Sequence, residues 1–139
     1  CDYGHGTGHG VGYFLNVHEG PQSIAVAAVP QPHHAMKSGM LTSNEPGLYR
    51  PGKWGIRIES LVINRPVENP EETEFGKFLY FETVTLCPID TRLIDTKLMT
   101  GSEIEWLNQY HAEVRRRLEP LTEGVAKAWL IERTEPLAR

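Results

Sequence analysis

Residues 4–12 read Gly-His-Gly-Thr-Gly-His-Gly-Val-Gly, and this block restricts the fold more than any other part of the chain. Five glycines in nine residues would each cost a helix about 1 kcal/mol relative to alanine, so the segment is not helical. In an extended strand the alternation puts His5, Thr7, His9 and Val11 on one face and every glycine on the other. One face then carries polar chemistry, while the other lets a neighbouring backbone come close.

The rest of the chain reads as β structure followed by helix. Val11 to Val17 continues apolar and aromatic until His18-Glu19-Gly20-Pro21 breaks it, and three prolines, Pro21, Pro30 and Pro32, make residues 21–39 loop-rich. Met40–Tyr49 and Trp54–Asn64 flank Arg50-Pro51-Gly52-Lys53, which predicts a hairpin of two strands. Glu68, Glu71, Glu72 and Glu74 mark a solvated loop within residues 65–76, and Lys77–Leu86 is a third strand candidate. After Pro88 the period becomes helical. Thr100 with Glu103 forms a capping-box pattern, and Ile104, Leu107, His111, Val114 and Leu118 follow at alternating three- and four-residue spacing. Val125–Arg133 reads as a second, shorter helix.

Charge and composition exclude several classes of function. Fourteen Lys and Arg against eighteen Asp and Glu give a net charge of −4, with no broad basic field for a phosphate backbone, so no nucleic-acid partner is expected. No apolar run reaches the roughly 20 residues that span a bilayer, and none is preceded by a signal-like charged segment, so no membrane partner is expected either. Two cysteines, Cys1 and Cys87, are too few for a disulfide framework and fit a reducing compartment. The opening at Cys1, directly before the glycine block, reads as part of a longer polypeptide.

Several side chains could carry chemistry. His5 and His9 lack the helix and the glutamate of a zinc-protease pair, and the glycines match no phosphate-loop register. Two imidazoles on a glycine-backed face could serve a metal or a proton transfer, or be hydrogen-bonded structural histidines. Glu45 and Glu59 fall within otherwise apolar or small-residue strands on opposite arms of the hairpin. Carboxylates buried there need a cation, which is either a metal or an arginine such as Arg57 or Arg50. One imidazole with two carboxylates and no nearby thiolate suits manganese, cobalt, iron or zinc, and favours hydrolysis by metal-activated water. Cys87 reads as a buried structural thiol, Glu82 as the partner of an arginine, His33-His34 as a surface pair and His111 as a packing histidine.

Four blocks, Gly4–Gly12, Asn16–Pro21, Asn44–Gly47 and Gly55–Glu59, occur in the order found in Xaa-Pro aminopeptidases, and the chain resembles the catalytic domain of that pita-bread metallopeptidase family. The stretch from Phe81-Glu82 through Trp106-Leu107-Asn108 to Trp129-Leu130-Ile131 resembles the helical extension of its longer members. The resemblance implies an α+β fold: residues 1–92 as the C-terminal half of a pita-bread catalytic domain and 93–139 as the extension. It implies two divalent metals, manganese foremost with zinc or cobalt as alternatives, held by two aspartates, one histidine and two glutamates. By motif position His9, Glu45 and Glu59 are metal ligands, and Glu45 is also the general acid/base. His5 and His18 line the proline side and steady the developing charge, and Arg57 stands beside the last ligand as a substrate-side residue. The two aspartates precede the glycine block in this family, so the complete site needs chain upstream of Cys1, and Asp2 is not one of them. The implied activity is hydrolysis of the N-terminal Xaa-Pro bond by a cytoplasmic enzyme, with the isolated piece inactive. Its partners would be peptides with proline second, the upstream part of the same polypeptide and a second copy in a homodimer. A prolidase-type dipeptidase and a non-catalytic pita-bread binding module are the alternatives. Without the upstream half, sheet edges and apolar surface should be exposed.

Overall fold

Pro51 and Gly52 close the expected hairpin. The Lys53 N–H donates to the Arg50 carbonyl at 2.9 Å, and Gly52 adopts φ +72°, as a type II turn requires at its third residue. The computed structural model describes residues 3–14, 16–68, 71 and 74–138, so Cys1, Asp2 and Glu72 lie outside the described residues. These residues form an α+β arrangement of two compact units, Cys1–Thr85 and Leu86–Arg139.

The first unit is built from antiparallel strands β1 (Gly8–His9), β2 (Ser23–Ile24), β3 (Leu41–Asn44), β4 (Gly47–Arg50), β5 (Trp54–Arg57), β6 (Ser60–Pro66) and β7 (Leu79–Thr83). The hairpin is longer and more bent than two strands. Its tip is β4 with β5, from Gly47↔Arg57 to Arg50↔Trp54, and its base is β3 with β6, from Asn44↔Ser60 to Leu41↔Ile63. Between tip and base both arms leave the ladder, at Glu45-Pro46 on one side and Ile58-Glu59 on the other. Pro46 has no N–H to donate, so pairing cannot run through it. The expected single strand Trp54–Asn64 is therefore two strands, and each glutamate occupies a break. β7 extends the sheet on the far side of β6, with Val62 opposite Thr83, and Arg65 Nε donates to Glu82 Oε2 at 2.6 Å, the arginine partner expected for that glutamate.

Only Gly8 and His9 of the glycine block form a regular strand, shorter than the alternation predicts, but the block lies along β3 beyond those two residues. Glu45 N–H donates to the Thr7 carbonyl at 2.7 Å and Val11 N–H to the Leu41 carbonyl at 3.0 Å. Apart from the two residues of β2, residues 21–39 are loop with one 3-10 turn at Pro32–His34, as the prolines predict. Among the described residues of this unit Val62 is the only buried apolar side chain, whereas Gln22, Thr42, Ser43, Glu45 and Asn64 are buried polar ones. Trp54, Ile56, Ile58 and Phe78–Phe81 are exposed, in line with the expected uncovered surface.

The second unit contains helices α1 (Gly101–Leu118) and α2 (Gly124–Arg133). The capping box is present in both directions: Thr100 Oγ1 accepts from Glu103 N–H at 3.3 Å, and Thr100 N–H donates to Glu103 Oε2 at 2.7 Å. Ile104, Leu107, His111 and Val114 form the inward stripe of α1, against which Leu130 of α2 is also buried. Arg115 donates to the Ile131 carbonyl at 2.6 Å and to Thr134 Oγ1 at 2.8 Å, so a cation satisfies the end of α2. Arg116 and Arg117 both pair with Glu113, whose carboxyl they hold down at about 2. The expectation for Cys87 needs correction. The thiol is exposed: it follows the end of β7 at Thr83 and is not itself part of a strand, so it lacks the burial of a strand position.

His111 is fully buried, and its Nε2 accepts the Ile89 N–H at 3.1 Å, a role open only to the neutral ring. Burial is the main cause that holds its pKa below the ordinary 6.5, and the Arg115 charge adds to it. Above about pH 6.5 the resulting stability is fully present, and it is lost as the pH falls towards the lower folded value, because the unfolded ring takes up a proton that the folded one refuses. The thermal midpoint of the helical circular dichroism signal should therefore fall by a few degrees between about pH 7 and pH 5. His111→Gln, which can still accept the Ile89 N–H, should flatten that dependence, and an equal slope in the variant would remove His111 as its source.

Candidate metal centre

The kink at Glu45 brings its carboxylate against the glycine block. A Cβ at Gly8 would overlap the Ser43 carbonyl oxygen, so only glycine lets the block lie this close to β3, and one at Gly10 would overlap the Glu19 carbonyl oxygen of the following loop. His9 consequently reaches Glu45, with Nε2 at 3.3 Å from Oε1. The ring of His9 is oriented by its own chain. Nδ1 lies 2.9 Å from the Gly10 carbonyl, which can only accept, so Nδ1 carries the proton and Nε2 of the neutral ring presents its lone pair to the carboxylate. Two acceptors facing each other across 3.3 Å are stabilised by a shared proton or a metal cation.

Glu45 is 8% exposed and its other partners are explicit. Ser43 Oγ donates to Oε1 at 2.9 Å, and Arg57 NH1 donates to Oε2 at 3.1 Å. Of the two arginines that could neutralise these carboxylates, Arg57 reaches across the hairpin to Glu45. Arg57 Nε also donates to the Tyr49 hydroxyl at 2.8 Å. That hydrogen bond, helped by the negative charges of Glu45 and Glu59, raises the guanidinium above its ordinary pKa against the effect of burial, so Arg57 is a fixed cation. The Tyr49 hydroxyl in turn lies 2.7 Å from His5 Nε2, and His5 Nδ1 lies 2.7 Å from the Gly6 carbonyl. Since Nδ1 must donate to that carbonyl, the tyrosine hydroxyl donates to Nε2. Both ring nitrogens of His5 are engaged, and His5 communicates with Glu45 through Tyr49 and Arg57.

His18 is exposed, and its ring centroid lies 4.3 Å from that of His9. Glu59 is exposed at its own break and contributes charge to the surroundings of Arg57. The expected meeting of His9, Glu45 and Glu59 around one position is therefore only partly present. His9 and Glu45 touch, and among the described residues no group of three or more His, Cys, Asp or Glu side chains is arranged to hold a metal ion. The physical reason lies in the hairpin: its arms are not continuous strands, and the break that frees Glu45 towards His9 also leaves Glu59 outside the ladder. The donor types of the pair, an imidazole lone pair and a carboxylate oxygen, fit a divalent first-row metal.

Tyr49 and Ser43 also belong to the hydrogen-bonded surroundings of Glu45, although sequence patterning does not single them out. A signal for Tyr49 existed, because a Cβ at Gly47, two residues before it on β4, or at Gly55, its cross-strand partner on β5, would overlap its ring. Nothing local distinguishes Ser43 from the other small polar residues of β3.

Comparison with known proteins places the whole chain in one group. The model for "Metallopeptidase family M24" matches residues 1–65, and that for the "C-terminal region of peptidase_M24" matches residues 77–137. A probable Xaa-Pro aminopeptidase P of Coprinopsis cinerea is 50% identical over 98% of the chain, and aminopeptidase P2 of Arabidopsis thaliana is 47% identical over 99%. The chain spans 22% and 19% of these two relatives, about a fifth of their length. The crystal structure of an X-prolyl aminopeptidase from Caenorhabditis elegans, described as a cytosolic enzyme with a di-nuclear active site, superposes with a TM-score of 0.85 at 38% identity, over 98% of this chain and 22% of that one.

Proposed function

The chain belongs to metallopeptidase family M24 and has the pita-bread fold of its X-prolyl aminopeptidase neighbour, and from that premise we propose that it is the C-terminal part of a metal-dependent Xaa-Pro aminopeptidase. The observation that carries this reading is the contact between His9 Nε2 and Glu45 Oε1, made by the motif residues that the family resemblance assigns as ligands.

From this portion His9, Glu45 and Glu59 would hold two divalent ions, manganese foremost, with two aspartates from upstream of Cys1 completing the set. When bound, such ions polarise a carbonyl and lower the pKa of water. The remaining steps belong to the chain's own residues. Glu45 takes on its carboxylate the proton that the attacking water gives up and passes it to the proline nitrogen as the peptide C–N bond breaks. Arg57 holds the carboxylate in place during that transfer through its bond to Oε2. His18, lying on the His9 ring, and His5, behind Tyr49, flank the proline side of the cleft. The catalytic portion ends at residue 92 and the helical extension covers 93–139, a division supported by the change to helical patterning after Pro88. A cytoplasmic homodimer is part of the same proposal.

The full-length protein, charged with manganese, is expected to cleave the first bond of Xaa-Pro-Xaa tripeptides and longer peptides. Turnover confined to Xaa-Pro dipeptides would make it a prolidase-type enzyme. No manganese uptake in a calorimetric titration, together with no turnover, would make it a binding module instead.

A further inference from the structure

The contact between the glycine block and β3 contains an irregularity at its centre. Thr7 faces Glu45 and Val11 faces Leu41 through main-chain bonds, so the same register sets His9 against Ser43. There the His9 N–H donates to the Ser43 hydroxyl at 3.0 Å, where a regular ladder would offer it a main-chain carbonyl. The hydroxyl has one proton to give. Glu45 Oε1 lies at 2.9 Å and the His9 carbonyl at 3.5 Å, so the carboxylate receives it. A directed path results, from the His9 N–H through the Ser43 hydroxyl to Glu45 Oε1, the oxygen that also faces His9 Nε2. Ser43 is fully buried, so water does not compete for these bonds.

We propose that Ser43 is a positioning residue for the metal centre: its hydroxyl locks the main chain of one ligand, His9, to the carboxylate of another, Glu45, and thereby sets which carboxylate oxygen points at the imidazole. This assignment rests on the function proposed above. Arg57 already restrains Oε2 from the exposed side. Without the hydroxyl, Oε1 keeps no donor opposite the imidazole, and the carboxylate can rotate about the Arg57 bond. Bonds of this kind behind a metal ligand typically contribute 10–100-fold to affinity for the ion.

The test compares Ser43→Ala and Ser43→Thr with the unaltered full-length protein, reading manganese affinity by calorimetry in the absence of substrate and thermal midpoint beside it. Ser43→Ala is expected to weaken manganese binding by about 10–100-fold, and Ser43→Thr, which restores a hydroxyl, to recover most of it. Manganese affinity equal to that of the unaltered protein in Ser43→Ala, with only the thermal midpoint lowered, would overturn the proposal and leave Ser43 a packing residue. If Ser43→Ala does not fold, Ser43→Cys, close in volume and a weak donor, is read against the same two outcomes. Failure of the unaltered protein to bind manganese would instead defeat the proposed function itself, so the two failures are separate.

Discussion

Replacing Glu45 with Gln in the full-length protein should lower turnover of an Xaa-Pro tripeptide by about 10²–10⁴-fold, the range for loss of a positioned general acid/base. The substitution keeps shape and most contacts. A glutamine oxygen can still accept from Ser43 or from Arg57, but its NH₂ then faces the other of these donors, or the lone pair of His9. What disappears is the negative charge and the capacity to carry a proton. Stability should change little, because Arg57, the partner left uncompensated, has a side chain that is 42% exposed and can be solvated. Circular dichroism and the thermal midpoint close to those of the unaltered protein, alongside the loss of turnover, would separate a chemical effect from misfolding. Undiminished turnover in Glu45→Gln would refute the assignment of Glu45.

The contrast between what sequence patterning anticipates and what it misses follows from the range of the forces involved. The Thr100–Glu103 box and the stripe from Ile104 to Val114 are legible because each rests on neighbours within one or two helical turns. The turn at Pro51-Gly52 is legible for the same reason, its φ being set by the residue that adopts it. Glu45 and His9 become legible only through motifs, since nothing within residues 41–49 indicates that the glycine block lies alongside. The partner of Arg57 depends on cross-strand placement: the hairpin register puts Gly47 opposite Arg57, and Glu45, two residues before Gly47, lies within reach of the guanidinium. Cys87 illustrates the same limit in reverse. Its apolar neighbours suggested burial, but burial depends on what lies above a strand end, and that is a tertiary property.

The residues 1–139 produced alone should show no measurable Xaa-Pro turnover and should self-associate through the first unit. In that unit the apolar side chains lie mostly outside. Trp54 is 55% exposed, Tyr80 52% and Phe81 50%, whereas Val62 is the single buried apolar residue among those described. Its other buried side chains, Gln22, Thr42, Ser43, Glu45 and Asn64, are polar and contribute hydrogen bonds, each with a net value of only about 1 kcal/mol. Strand β7 presents the difficulty most sharply. It pairs with β6 on one side only, and its residues from Leu79 to Phe81 are exposed on both faces, a combination that favours edge-to-edge association. The second unit differs, since Ile104, Leu107, Val114 and Leu130 are buried within it. Light scattering and binding of a hydrophobic dye should therefore report association of the isolated chain while a helical circular dichroism signal persists. Supplying the upstream polypeptide in the same cell should suppress dye binding and restore turnover. A monomeric isolated chain that binds no dye and matches the full-length protein in turnover would show that the strands of the first unit need no further cover, and that three ligand positions suffice for the chemistry.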